Sequence, residues 1–416
     1  MNKTITCAAM LICATAALAG EADDRFIALE KRIAELEAAK PAATRLEPSW
    51  RPGLWLASPD KAVQLRIGGR VQNDWSFAVA ADDALEEKVG SLDDTIDFRR
   101  IWLELDGTLY TRTYYSAHVD FVGGKTGVRN MFIGVNEVPV FGKIQVGSQQ
   151  EPFGLEELTS NNNITFLERS LALFYPSYNA GIRMLRSLAD KRMTASAGIF
   201  RDTDDTGRIV SDDGYNATAR LTGTPLYGDD GRRLMHVGIA GSFQTTPTGT
   251  AQYRGRPENR WEPNFVSITN IPADEASLAG LEWAAVYGSL SAQAEWNMAA
   301  PDTENNDPEF SGYYAQVSYF LTGEHRPYDR ESACFGRITP KQNFGSGGSG
   351  AWEVALRVSG VDLNDGDYQG GEMQNYTAGL NWYLNPNVRM MLNYIRSDLD
   401  TVGDADTVLA RFQVAF

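Results

Sequence analysis

From Lys61 onward the chain alternates apolar and polar residues with a period of two. In the first run Val63, Leu65, Ile67 and Val71 fall on one side, and Gln64, Arg66, Gly68, Arg70 and Gln72 on the other. Successive side chains of a strand point to opposite faces, so each run predicts a strand with one apolar and one polar face. Trp352, Val354, Leu356 and Val358 alternate in the same way with Glu353, Ala355, Arg357 and Ser359. Tyr376, Ala378, Leu380 and Trp382 alternate with Asn375, Thr377, Gly379 and Asn381. Counting such runs gives about sixteen strands across 61–416, a number that suits an antiparallel transmembrane β-barrel. Their centres fall near 68, 102, 117, 132, 146, 182, 197, 219, 239, 282, 294, 316, 356, 378, 392 and 411. In the last strand Val408, Ala410, Phe412, Val414 and Phe416 share a face opposite Arg411 and Gln413, and a closing strand ending in Phe is a signal for barrel insertion.

An even strand count places both ends of the barrel on the periplasmic side. Short turns are then expected there, at Tyr110–Arg112, Pro139–Gly142, Leu188–Lys191, Gly288–Ser289 and Asn385–Asn387. Long outer loops are expected at 78–95, 151–178, 202–213, 246–277 and 299–310. Segment 322–349 disobeys, being long yet periplasmic. Either the count slips there or the connection is an ordered periplasmic turn.

Ahead of the barrel the pattern changes. Residues 1–19 read as a signal peptide, with Lys3, an apolar stretch from Ile5 to Leu18, and Ala17-Leu18-Ala19 before a cleavage point preceding Gly20. That stretch is too short to cross a hydrocarbon core of about 30 Å. Residues 20–40 read as a short periplasmic coiled-coil helix, with Phe26, Leu29, Ile33 and Leu36 at alternating spacings of three and four. An amphipathic helix packed on its own domain fits the same spacing. Pro41 ends it, and 41–60 reads as an irregular linker. The expected fold is therefore all-β: a barrel over 61–416 preceded by this helical segment.

Composition narrows the function. Mean hydropathy is −0.32, with no later run apolar enough for a membrane helix, as alternation in barrel strands requires. Loss of Lys3 with the signal peptide takes the formal charge from −16 to −17, which argues against a nucleic-acid partner. The mature chain keeps only Cys334, so the fold does not depend on disulfides, and one Cys with three His leaves little for a transition-metal site. No cofactor, metal or catalytic residue is expected. His118 stands two residues from Asp120 on a polar face, and His236 shares one with Ser242. Side chains two apart on a strand lie roughly 7 Å from each other, too far for a catalytic triad. A hydrolase at the barrel rim is thus the weaker alternative.

The stronger constellation is basic. If each polar face lines the lumen, Arg66, Arg70, Arg100, Lys143, Arg192, Arg220, Arg357, Arg389 and Arg411 point inward. Guanidinium stays charged and offers a planar fork of donors to oxyanions, so a series of such groups would pass a small anion from one to the next. Arg66 and Arg70 stand out because no acid is expected on their strand's inner face. Glu104, Asp106, Asp120, Glu282, Glu295 and Glu353 are inward by the same rule and available as counter-charges, which leaves a general small-solute porin as the other reading. The loop Glu151–Tyr178 carries apolar anchors Phe153, Leu155, Phe166 and Leu167 around Asn161–Asn163 and Arg169. It should fold into the pore.

Several segments resemble the phosphate- and polyphosphate-selective porin family. They are Phe98-Arg99-Arg100-Ile101-Trp102-Leu103-Glu104-Leu105, Glu151-Pro152-Phe153-Gly154 through Glu168-Arg169-Ser170, Tyr319-Phe320-Leu321-Thr322-Gly323-Glu324, Gly350-Ala351-Trp352-Glu353, Gly379-Leu380-Asn381-Trp382-Tyr383-Leu384-Asn385-Pro386-Asn387, and the closing Arg411-Phe412. The resemblance implies a homotrimer in outer-membrane lipid, a waist of inward loops, an arginine ladder and phosphate-like anions as substrates. By motif match Arg99, Arg100, Arg169 and Arg357 carry over to that pathway. The family's waist also uses lysines. Here only Lys61, Lys88, Lys125, Lys143, Lys191 and Lys341 follow residue 60, without a cluster.

Overall fold

The computed structural model describes residues 28–32, 45–172, 174–210, 214–246, 248–304, 307–345 and 347–416. Sixteen antiparallel strands form a closed barrel: β1 (Val63–Ala81), β2 (Thr95–Leu109), β3 (Thr113–Asp120), β4 (Gly127–Val138), β5 (Gly142–Gln150), β6 (Tyr178–Leu188), β7 (Met193–Arg201), β8 (Asn216–Gly228), β9 (Arg233–Thr245), β10 (Glu275–Tyr287), β11 (Leu290–Asp302), β12 (Phe310–Phe320), β13 (Ala351–Asp365), β14 (Tyr368–Asn385), β15 (Val388–Leu399) and β16 (Gly403–Ala415). Each predicted strand centre falls in its own strand. β16 returns to β1, from Ala415 opposite Arg70 to Ala405 opposite Ala81. Phe416 prolongs this seam through two backbone hydrogen bonds of 2.9 Å with Gly69. Closure removes every sheet edge, which is what a sheet in lipid needs. No helix among the described residues is long and apolar enough to cross a membrane; the crossing is made by strands.

The barrel is apolar outside and polar inside. Ile199 and Leu356 are 59% and 61% exposed on the outer face, whereas Gln72, Asn375 and Arg411 are fully buried on the inner one. One residue breaks parity. The β1–β2 register passes from Gln72 opposite Arg100 to Asn73 opposite Phe98, so Arg99 is the extra residue of a bulge. The bulge turns Arg99 and Arg100 toward the lumen together, which strict alternation forbids.

Before β1, the strands Glu47–Trp50 and Leu54–Ala57 form a hairpin, where the sequence pattern predicts an irregular linker. The second of them pairs with β1 at Gln64–Ile67. Residues 28–32 are helical. The rest of the predicted coil and the predicted signal peptide lie outside the described residues.

Three connections fold into the barrel and order the site. The β5–β6 loop enters as expected, with Phe153, Leu155, Phe166 and Leu167 completely buried. Phe153 packs with the β9–β10 loop, itself a hairpin of Thr250–Gly255 with Val266–Pro272. Leu155 packs against Tyr328 and Phe335 of the β12–β13 connection, and Leu167 against Met391, Ile395 and Leu409 of the wall. The long periplasmic connection therefore does not disturb the strand count. It is the floor on which the β5–β6 loop rests.

Candidate functional site: a cationic lumen

The inward loop is held to the wall by arginines. Arg389 donates to the Ile164 carbonyl at 2.8 Å, and Arg357 to the Glu168 carbonyl at 3.1 Å. Arg411 donates to the Leu167 carbonyl and, at 2.7 Å, to the Glu168 carboxylate. Arg99 meets Glu168 with a fork of 2.8 and 3.0 Å, and Arg100 stands 3.8 Å from it. Burial opposes charge on Glu168, but Arg99, Arg100 and Arg411 hold its carboxyl well below the usual carboxylate range. One carboxylate thus knots three guanidiniums at the level of the loop.

Two other predicted pathway arginines are neutralised more completely. Arg220 forms a fork with Glu282 at 2.8 and 2.7 Å and reaches the Ala333 carbonyl at 3.0 Å. Arg357 pairs with Glu258 and with Glu156 at 3.3 Å, and lies 4.3 Å from the centre of the Phe166 ring. Their side chains are 3% and 0% exposed, so they brace the wall and offer little surface to a solute. Asp74 corrects the expectation that β1 carries no inner acid: it shares the face of Arg66 and Arg70 and forms a fork with Arg411 at 2.6 Å. Lys143 lies at the periplasmic end, sharing Glu331 with Lys191. Arg192 leaves the predicted pathway, because the turn extends to it and leaves it exposed, one residue short of β7.

The remaining arginines surround a chamber. A cavity of about 300 Å³ lies between the β1–β4 wall, the β5–β6 loop and the β12–β13 connection. Arg66, Arg70, Arg169 and Arg337 line it, against one lining carboxylate, Glu104. Glu104 pairs with Arg70 and, at 3.1 Å, with Arg66, which also reaches Asp106 at 2.8 Å. Arg70 also donates to the Asn161 side chain and stacks 4.2 Å from the Trp102 ring centre. Arg169 pairs with Glu157 at 2.9 Å and donates to the Glu157 carbonyl at 2.8 Å. Arg337 has no ion pair among the described residues. It donates to the carbonyls of Pro386 and Ala415 at 2.8 and 2.9 Å. Burial, then repulsion from Arg66, pushes its guanidinium down to about 10.

Arg337 was not legible as a site residue, nor was Arg326, which sits 3.7 Å from the Phe335 ring centre and donates to Gln293 at 2.9 Å. Both belong to the connection 322–349, where no strand alternation tells inside from outside. The available signal was its density of basic residues, from His325 and Arg326 through Arg330 and Arg337 to Lys341.

The histidines do not form hydrolytic machinery. Ser116 and Asp106 meet the same ring nitrogen of His118, Nε2, at 3.1 and 2.9 Å. A proton relay needs nucleophile and acid on opposite nitrogens. His236 bridges Glu282 and Tyr328, while Ser242 bonds to Thr218. Glu104, Asp106 and His118 place potential metal-ligand atoms within 4.8 Å of one another, but Arg66 and Arg70 already occupy these carboxylates.

A sixteen-stranded barrel with an apolar exterior and a lumen narrowed by inward loops is a porin of the bacterial outer membrane, a channel rather than an enzyme. The chain belongs to the family described as phosphate-selective porin O and P, whose model matches residues 65–416. It is similar to Porin O of Pseudomonas aeruginosa, 27% identical over 88% of this chain and 91% of that one. An uncharacterized protein of Caulobacter vibrioides is 29% identical over 86% of this chain and 72% of its own length. Among solved structures, OprB of Pseudomonas putida is similar with a TM-score of 0.53 at 10% identity, covering 86% of this chain and 95% of that one. The anion-selective porin from Comamonas acidovorans gives 0.51 at 11% identity, covering 85% and 100%. At such identities these two structures share the fold.

Proposed function

We propose that the pore passes small inorganic anions passively, with phosphate-like oxyanions the favoured class, and that three copies assemble in outer-membrane lipid. The observation that carries this reading is the imbalance of the chamber, where four arginines face one lining carboxylate. Arg99 and Arg100, near the Glu168 knot, provide a second station on the route, and Arg169 and Arg337 complete the first. The acidic excess of the chain, by contrast, includes exposed loop residues such as Asp204, Asp205 and Asp367. Water and salt screen such charges over about 8 Å, whereas charges in a confined, low-dielectric lumen are screened less. The family description supports phosphate, and the family resemblance supports the trimer.

The carboxylates opposite Arg220, Arg357 and Arg411 favour the second reading, a general porin whose wall charges cancel. Reversal potential of single channels in a potassium chloride gradient separates the two. Anion preference is expected, with chloride current blocked by inorganic phosphate; a potential near zero, or a cationic one, selects the general porin. Unheated gel migration at three times the subunit mass is the expected sign of the trimer.

A further inference from the structure

On its lipid-facing side the barrel wall is uneven. Ala197, Ala219 and Gly241 stand opposite one another across β7, β8 and β9 and leave a valley one residue wide. Ile199 and Phe243 rise beside it toward the outer end of the barrel, Leu221 and Ile239 toward the periplasmic end. Two adjoining grooves follow this relief, of about 500 and 590 Å³, and they share Phe141, Met184 and Ala197. Ligand sites commonly occupy roughly 300–1,000 Å³. Barrel strands tilt by about 45°, so a valley that crosses them runs obliquely through the membrane and can take a flexible chain rising from one side.

The two ends of the groove differ. At the outer end Arg201 lies 5.4 Å from the centre of the Tyr215 ring. At the periplasmic end Arg186, opposite Ala195 on β7, is exposed and forms no ion pair among the described residues. It donates to the Val140 carbonyl, which holds it beside Val140 and Phe141, 73% and 47% exposed on the β4–β5 turn. In the adjoining β6–β7 turn Arg192 is a second exposed cation, against the carboxylate of Asp190. Between the ends, every side chain on the lipid-facing side of the groove is apolar. Apolar character selects nothing in a membrane, because lipid tails are as apolar as leucine. Shape and charge remain: the valley fits a chain, and the open end is positive.

We propose that this groove binds an anionic glycerophospholipid of the periplasmic leaflet, one acyl chain in the Ala197–Ala219–Gly241 valley and the headgroup phosphate on the Arg186 guanidinium. The site lies outside the lumen, so its test does not depend on what the pore conducts. The full-length protein, purified in detergent, is incubated with phosphatidylglycerol or with phosphatidylcholine of the same chains, and retained lipid is counted by native mass spectrometry. Phosphatidylglycerol should be retained in preference, and Arg186→Gln should lower its retention about fivefold, what one basic residue contributes beside an anionic lipid surface. Ala219→Phe fills the valley without altering charge and should lower retention of both lipids. Neither change should move the reversal potential or the unheated migration of the assembly. Equal retention of the two lipids by the unmodified protein overturns the proposal, as does unchanged retention in Arg186→Gln. Folded single subunits from Ala219→Phe would overturn it in another way, by making the groove a seat for a second copy of the chain. Should Ala219→Phe not assemble at all, Arg186→Gln decides alone.

Discussion

Arg66 and Arg220 come from the same rule, a basic residue on the inner face of a barrel strand, yet the two sides of the lumen use them differently. On the β8–β10 wall, Arg220 gives both arms of its fork to Glu282, and His236 approaches the same carboxylate at 3.0 Å. On the β1–β2 wall, Arg66 and Arg70 share Glu104, and two further arginines reach the same cavity from inward segments. The comparison shows that facing the lumen does not make an arginine part of a pathway. What matters is the ratio of guanidinium to carboxylate around it and whether it borders open volume. Where the charges cancel, the arginine serves as a brace: Arg220 holds the β12–β13 connection by the Ala333 carbonyl, and Arg411 holds the inward loop by that of Leu167.

The sharpest way to break this contrast is to remove one member of a brace. Arg220→Leu leaves Glu282, 1% exposed, with no guanidinium and only the His236 ring beside it. Uncompensated burial of one half of an ion pair costs about 3–5 kcal/mol. The variant should lose heat-modifiable assembly at a lower temperature and expose segment 322–349 to protease. Arg66→Leu should be far milder, because its side chain is 16% exposed and Glu104 retains Arg70. Equal destabilisation by the two would remove the distinction between brace and pathway.

Selectivity should show the reverse order. Replacing Arg66 and Arg70 together by Gln removes two positive charges beside open volume. The anion preference should fall about tenfold, equivalent to ~1.4 kcal/mol, which lies between the energy of a close charge pair in water and that in a protein surface environment. The double replacement Arg220→Gln with Glu282→Gln removes no net charge and should leave the reversal potential where it was. A large shift from this second pair would mean that the far wall also senses the ion.

The period-two pattern carried the barrel almost whole, since alternation is a local property and one slipped residue would put a charge into lipid. It placed every strand of the barrel wall, the lumen face and the inward loop, the last through apolar anchors that had to be buried somewhere. It could not reveal which arginines are neutralised. Arg220 meets Glu282 across two strand neighbours and Arg357 meets Glu258 from a distant loop, so both partnerships depend on register and loop path. Parity alone would have sent Arg99 to lipid, and only the family motif kept it, because a single-residue bulge has no local signature here. The connection 322–349 was noticed for its length, while its fold, and with it Arg326 and Arg337, depends on packing against Leu155, Leu234 and Val286.

A smaller effect, tied to pH, is expected in the β9–β10 loop. Glu262 is buried there, tied to Asn259, which bonds Ser76 of β1 at 2.9 Å. Burial, reinforced by Asp93 and Asp94, pushes its carboxyl up from 4.5 to about 7. The folded chain therefore keeps this proton at pH values where the unfolded chain has lost it. The resulting stabilisation is fully present below the ordinary carboxylate range and is lost as pH rises through about 7. Protease should cut 246–274 more readily at pH 8.5 than at pH 5.5, and Glu262→Gln should flatten that difference. Cleavage rising toward acid instead would give the opposite sign and exclude Glu262 as its source.

The smallest effect belongs to Arg192, and it tests the boundary between turn and strand. Strict alternation makes it a lumen residue, whereas the chain turns through Ala189, Asp190 and Lys191, all at positive φ, and β7 begins only at Met193. Arg192 is exposed at this turn; its backbone does the structural work, its carbonyl accepting from Thr224 N at 2.7 Å. A side-chain change leaves that bond in place, and surface substitutions away from caps and buried networks typically alter stability by no more than ~0.5 kcal/mol. Salt screens its charge over about 8 Å, so the ion in the chamber should not register its loss. Arg192→Gln should therefore match the unmodified channel in melting and in reversal potential. Its neighbour Lys191, bonded to Glu331 at 2.6 Å through a half-exposed pair, should show slightly more, within the ~0–1 kcal/mol usual for surface ion pairs. If Arg192→Gln instead lowered anion preference as far as the paired Arg66 and Arg70 change, β7 would have to begin earlier, with Arg192 turned into the lumen.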